Sequence, residues 1–171
     1  MASQESIKLL GGNGGGFVGA NSSSPTENPT PFANFLQLLA MFLVPAGLTY
    51  TFGRMVGDRR QGWAIFWTMS LIFIAGAIAA TIPEVAGNPL VQHLGVADAG
   101  LSLAVATDST VGAGNFTYDS LTPLGGLVAL VNMQCGEVAF GGVGSGLFGM
   151  LAFVLLTVFL RDCSSAGHRN M

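Results

Sequence analysis

The chain has 171 residues, half of them apolar and only 9% charged, against roughly 25% charged in a soluble domain. Its apolar residues gather into runs, which points to lipid as the solvent. The formal charge of −3 contains no block of one sign, which excludes a nucleic-acid footprint. Cys135 and Cys163 are too few for a disulfide framework, and Cys135, in an apolar stretch, is expected to be a buried, inert thiol.

In chain order, the first element is a short apolar helix candidate, Ile7–Leu10, too short for the apolar core of a secretory signal. It runs into Gly11-Gly12-Asn13-Gly14-Gly15-Gly16-Phe17, and a Thr30-Pro31 linker leads on to Ala33–Phe52. That uncharged stretch of about 20 residues is long enough to cross ~30 Å of hydrocarbon, and its Pro45 is tolerable where neighbours re-satisfy the backbone. Gly53–Gly62 carries Arg54, Arg59 and Arg60, three of six basic residues. The positive-inside rule therefore places it in the cytoplasm; a merely solvated turn would leave the orientation open. Trp63–Ile82 is a second span, with Trp63 and Trp67 as interfacial anchors.

After Ile82, Pro83, Glu84, Asn88, Pro89 and His93 suggest an outward-facing polar stretch. Leu101–Thr107 is apolar but too short to span, and Asp108–Asn115 suits no continuing helix. A turn through Tyr118–Pro123 precedes Leu127–Leu160, too long for one span, broken at Gly141–Gly146 and closed on the inside by Arg161. The order short helix, glycine turn, Thr-Pro and apolar helix therefore occurs twice. Each copy reads as a re-entrant pore loop followed by a spanning helix, and two copies at one face imply a pseudo-symmetric pore.

The glycine run is where chemistry is expected. Carrying a cation through lipid means replacing its water shell, and converging backbone carbonyls can do this. Glycine accepts the backbone angles such a loop needs, and non-helical backbone at membrane depth is tolerable only where it lines a cavity or is covered by protein. The partly negative C-terminal end of the preceding helix also favours cations. A flexible linker is the bland alternative, although such linkers mix Gly with Ser and do not end in an aromatic. A dinucleotide fingerprint is discarded, because in the Gly12-x-Gly14 register Phe17 stands where the third glycine should be, and no strand precedes the run.

Several strings carry a specific resemblance: ENPTP at 27–31, TFGRMVGDRRQGWA at 51–64, TPLGGLV at 122–128 and GEVAFGGVGSGL at 136–147. Over about residues 2–160 the chain resembles the A subunit family of Kdp-type potassium-importing ATPases. The resemblance implies an all-α membrane protein built from M1–P–M2 pore-loop repeats, four around one filter, of which this chain would hold parts of the second and third. Residues 1–62 would be a pore loop, M2 helix and cytoplasmic loop, residues 63–160 the next repeat with a broken M2 helix, and residues 161–171 an atypical tail. By position, Gly12, Asn13 and Gly14 match the second repeat's filter, and Thr110, Val111 and Gly112 the third's. Potassium would be the bound ion, and the only metal.

The implied partners are a catalytic P-type ATPase subunit, small accessory subunits and the lipid bilayer, with no nucleic acid, in a multi-pass bacterial inner-membrane complex. The chain is not itself expected to be catalytic. Departures from the family pattern are Gly12 where Thr is usual, Gly19 where Asn is usual, a poorer third filter (Ala106–Gly112) and Tyr118 where His is usual. The missing repeats and the RDCSSAGHRNM tail suggest a truncated gene product.

Glu137, ionisable in an apolar segment, is a functional candidate by default. In the resemblance it belongs to the interrupted M2 helix, with Gly141, Gly142, Gly144 and Gly146 supplying a loop that obstructs the pore below the filter. The bland readings are a Glu that is neutralised by a partner or snorkels to the interface, and glycines at 142, 146 and 149 that mark close helix packing. Met41, Met69, Met133 and Met150 read as apolar filler. His93 and His168 have no clustered ligands that would suggest a metal site.

Two rival functions remain at this point. Val143-Gly144-Ser145-Gly146 approaches the nucleophile motif of an intramembrane serine hydrolase, which would need a base within reach of Ser145. A non-conducting membrane assembly subunit is the other. Topology is directly testable. With Cys135 and Cys163 replaced, a cysteine introduced at Gln61 is expected to react with an impermeant thiol reagent only from the cytoplasmic side; reaction from outside would reverse the orientation.

Overall fold

A computed structural model describes residues 2–19, 22–87, 95–135, 137–142 and 144–169. Among these residues the chain is all helical, with no strand. It forms α1 (Ala2–Leu10), α2 (Pro31–Met55), α3 (Arg59–Gly87), α4 (Val96–Asp108), a 3-10 turn (Tyr118–Ser120), α5 (Pro123–Gln134) and α6 (Ser145–Arg169). At 1.5 Å per residue α2, α3 and the apolar part of α6 reach about 30 Å or more. These three helices are long and apolar enough to cross a membrane, and the protein is an all-α membrane protein.

Residue burial runs opposite to that of a soluble domain. Phe32, Phe35, Leu43, Trp67, Leu71, Leu155 and Phe159 are exposed, while Lys8, Glu27, Asn34, Glu84, Ser102, Ser109 and Asn115 are buried. Lipid solvates an apolar exterior at no cost, and the polar groups must then find partners inside. Met41, Met69 and Met150 fill the interior as expected, whereas Met133 is about half exposed.

Both Thr-Pro signals start helices. Thr30 and Thr122 are extended at ψ 154°, and each places a Pro at the first helical turn. Their hydroxyls accept the N–H of Ala33 and of Gly125, each at 3.1 Å, which satisfies one of the donors every helix start leaves free.

The structure corrects several boundaries. α3 does not end at Ile82 but continues through Pro83 and Glu84 to Gly87. Glu84 is fully buried, because its Oε1 accepts both the Thr122 N–H (2.8 Å) and the Thr122 hydroxyl (2.7 Å) at the start of α5. Those two bonds satisfy Oε1, whereas Oε2 is buried without a hydrogen-bond partner among the described residues. Asn88, Pro89 and His93 lie outside the described residues. Asp108 is the last residue of α4 rather than the start of the loop. The break in the last apolar region begins earlier than its glycines suggest, since α5 stops at Gln134. Cys135, at that stop, is exposed rather than buried. Arg161 does not close α6, which runs on to Arg169.

The α2–α3 hairpin turns at Gly57, with φ 79°, and Asp58 Oδ1 accepts the Arg60 N–H at 2.9 Å. The two helices then meet at Gly53 and Gly62. A Cβ on Gly62 would lie 2.6 Å from the Thr49 carbonyl oxygen and 3.0 Å from Gly53 Cα. Gly62→Val is therefore expected to destabilise the complete subunit by about 1–3 kcal/mol, read as a lower midpoint of thermal unfolding in detergent. Gly47→Ala, in α2 with nothing within 4 Å of the new methyl, is expected to leave the midpoint unchanged or raise it.

Candidate functional site: two facing glycine loops

α1 and α4 are too short to span the membrane, and each delivers the chain into a loop of unusual backbone. In the first loop φ is positive at Gly12 (67°) and Gly14 (63°), and in the second at Thr110 (65°) and Gly112 (69°), with Asn13 and Val111 in ordinary conformations between them. The same hydrogen bond fixes both loops to their helices. The Gly14 N–H donates to the Lys8 carbonyl at 3.3 Å, and the Gly112 N–H donates to the Ala106 carbonyl at 2.9 Å. Each pair is six residues apart, and the two loops coincide residue for residue at a constant offset. Thr110 is a β-branched residue at positive φ, a costly conformation that persists only where the surroundings impose it.

The two loops touch. A Cβ built on Gly14 would overlap the Val111 carbonyl oxygen. Val111 meanwhile packs its side chain away from that contact, in a core with Leu9, Leu38, Met41, Val105 and Ala113. All six predicted filter residues thus fall in one place, and backbone rather than side chains faces backbone between the loops.

The broken-helix loop lies directly against the second of them. The Gly142 N–H donates to the Ser109 carbonyl at 3.0 Å, and a Cβ on Gly142 would come within 2.5 Å of the Thr110 hydroxyl. Gly141 accepts the Gly146 N–H at 2.7 Å, and a side chain on Gly146 would overlap the Gly141 backbone. Phe140, at φ 60°, anchors the loop between Phe42 and Phe66, each with ring centroids 5.4 Å away. Glu137 is half-buried at φ 55° with its N–H on the Asn132 carbonyl, 3.4 Å away. Gly144, at φ 120°, leads into α6. Of the predicted loop residues, Gly142 meets the second glycine loop, and a Cβ on Gly141 would stand 3.1 Å from the Asp108 carbonyl oxygen at the end of α4.

Sequence reasoning missed the polar frame around the loops. The Tyr118 hydroxyl donates to the Gly112 carbonyl at 3.0 Å. A phenol keeps its proton at neutral pH and so acts as donor here. In the sequence Tyr118 shows only as a departure from the family pattern. Asp98 Oδ2 accepts from Asn34 (2.9 Å) and Asn115 (3.2 Å), and Asn34 Oδ1 accepts from Asn28 at 2.7 Å. This chain of amides ties the first half of the molecule to the second. Asp108, at the end of α4, is buried, and the neighbouring Thr107 hydroxyl accepts from Asn132 at 3.0 Å.

Ser145 gives no support to the hydrolase reading. It is the first residue of α6 and its hydroxyl donates weakly, at 3.5 Å, to the Gly141 carbonyl of its own turn. His93 and the side chain of His168 lie outside what is described.

The sequence model of the potassium-transporting ATPase A subunit family matches residues 1–162. The potassium-transporting ATPase potassium-binding subunit of Solibacter usitatus is 54% identical across 94% of this chain and 31% of its own length. The proteins of the same name from Dechloromonas aromatica and Yersinia pestis are each 52% identical across 94% of this chain, and across 30% and 31% of their own lengths. The chain thus spans about three tenths of the length of these relatives. It belongs to the potassium-transporting ATPase A subunit family.

Proposed function

We propose that this chain forms two of the pore loops through which a potassium-importing ATPase complex selects its ion. Gly12, Asn13 and Gly14 contribute one side of the filter, and Thr110, Val111 and Gly112 the next. Residues 1–62 and 63–160 act as parts of two consecutive M1–P–M2 repeats, with residues 161–171 as the tail. The observation that carries this reading is the pair of matched loops, positive φ at alternate residues, meeting through Gly14 and Val111. Alternation of this kind turns peptide groups so that carbonyls can line a common path, and carbonyls are what replace a potassium ion's water.

Glu137 and Gly141–Gly146 obstruct the path below, with Gly142 bound to the carbonyl of Ser109 at the base of the second loop. Two further loops complete the ring, a separate P-type ATPase subunit supplies ATP hydrolysis, and small accessory subunits complete the complex in the bacterial inner membrane. The relatives' name, potassium-binding subunit, supports the ion.

The test uses these segments within a complete potassium-binding subunit, expressed in cells lacking other potassium importers. Gly14→Asp is expected to abolish growth at micromolar potassium or erase the preference for potassium, because a side chain there displaces the Val111 carbonyl and adds a competing ligand. Unchanged high-affinity uptake would remove Gly14 from the filter. Tyr118→Phe frees the Gly112 carbonyl from its donor. It is expected to change the KM for potassium while leaving the amount of assembled subunit unaltered, since one hydrogen bond is worth only about 1 kcal/mol of stability. An unchanged KM would mean that this carbonyl does not meet the ion.

A further inference from the structure

Among the described residues Lys8 is the largest of the fully buried side chains, and nothing in the ion path requires a cation there. Its Nζ lies 2.8 Å from Glu5 Oε1 and 3.4 Å from Glu27 Oε1, with its side chain 0% exposed. Both carboxylates are used further. Glu5 Oε2 accepts the Ser22 hydroxyl at 3.2 Å, Glu27 Oε2 accepts the Ser22 N–H at 3.0 Å, and Glu27 Oε1 accepts from Gln4 at 3.1 Å. The Glu27 carbonyl accepts from Gln37 of α2 at 2.9 Å. The cluster therefore joins α1, the segment returning from the first loop, and α2.

The other end of Lys8 holds the loop itself. Its backbone carbonyl accepts the N–H groups of Asn13 (3.2 Å) and Gly14 (3.3 Å). A Cβ added to Gly16, two residues on, would stand 3.3 Å from Glu27 Oε1 and collide with Gln4. The first loop is thus gripped on both sides by one ion cluster. Among the described residues the second half has no such device. There the equivalent carbonyl belongs to Ala106, and its shorter return segment, residues 113–121, is fixed by the Asn115 N–H on Ser102 (3.2 Å) and by buried Phe116. Burying a three-charge cluster costs more than apolar packing of the same volume, so its place is explained by the geometry that it imposes.

We infer that Glu5, Lys8 and Glu27 are positioning residues that set the shape of the first glycine loop, and with it the discrimination between potassium and other alkali cations. The inference rests on the filter reading of Gly12–Gly14. Lys8 touches no ion: it fixes the carbonyls that do.

The experiment measures KM and Vmax for potassium, and the ratio of rubidium to potassium uptake, in a complete subunit assembled with its complex. Lys8→Met is expected to raise the potassium KM at least about tenfold and to narrow the rubidium–potassium ratio, since it leaves two carboxylates unpaired beside the loop. If that variant fails to assemble, Lys8→Met with Glu27→Gln and Glu5→Gln removes the unpaired charge. This triple variant is expected to assemble, yet to keep the raised KM and the narrowed ratio, because the tie between α1 and the return segment stays weakened. Assembled variants with a KM within about twofold of the parent and an unchanged ratio would overturn the inference, as would a fall in Vmax alone. Gly14→Asp, measured alongside, separates the two claims. If it changes the ratio and the Lys8 variants do not, only the inference falls; if Gly14→Asp also leaves the ratio unchanged, the filter reading falls with it.

Discussion

Gly14 and the Val111 carbonyl stand so close that no side chain fits between them. Everything else in the molecule serves that approach. Two stretches of irregular backbone meet at this point, and each peptide group left unsatisfied away from water costs several kcal/mol. Each loop therefore hangs from a short helix through one repeated bond, Gly14 to Lys8 and Gly112 to Ala106. Val111 turns its side chain into the core with Leu9 and Met41, which leaves its carbonyl toward the partner loop. Exchanging Gly14 for any other residue would require one loop to move, and the loop could not move without breaking the bond to its helix.

The polar groups that hold this arrangement lie inside and the apolar ones outside. α3 packs along α4 and α5, and Glu84 at its end grips the start of α5 through Thr122. The Asp98 amide chain links α2 to α4 and to the segment after the second loop. Below the loops, the broken helix lets Gly142 reach the Ser109 carbonyl. Had α5 continued as a helix through Glu137, as α2 continues through Pro45, its N–H groups would have been spent within the helix.

Much of this was legible in the sequence because it depends on local chemistry. The Thr-Pro starts, the lengths of the apolar runs and the glycine runs after short helices each follow from nearest-neighbour physics, and all six filter candidates fall in the paired loops. The misreadings came from partners distant in the chain. Pro83 and Glu84 look like the end of a helix until Thr122 supplies donors to the carboxylate. Cys135 looks buried until α5 stops beside it. Lys8 carries no signal of its own in the sequence; only folding brings Glu27 to it. Tyr118 and Asp98 have no sequence signal beyond a residue type, since what matters is the atom each one meets.

The central claim is that residues 12–14 and 110–112 contribute carbonyls to one dehydrated cation site. It is tested most directly by locating the ion. A structure of the complete subunit, grown with rubidium or thallium in place of potassium, would show the ion by its anomalous scattering. The predicted result is a peak within coordinating distance of carbonyls from both loops, lost when sodium replaces the heavier ion. A well-ordered structure with no peak there, or with the ion held by one loop and side chains alone, would contradict it.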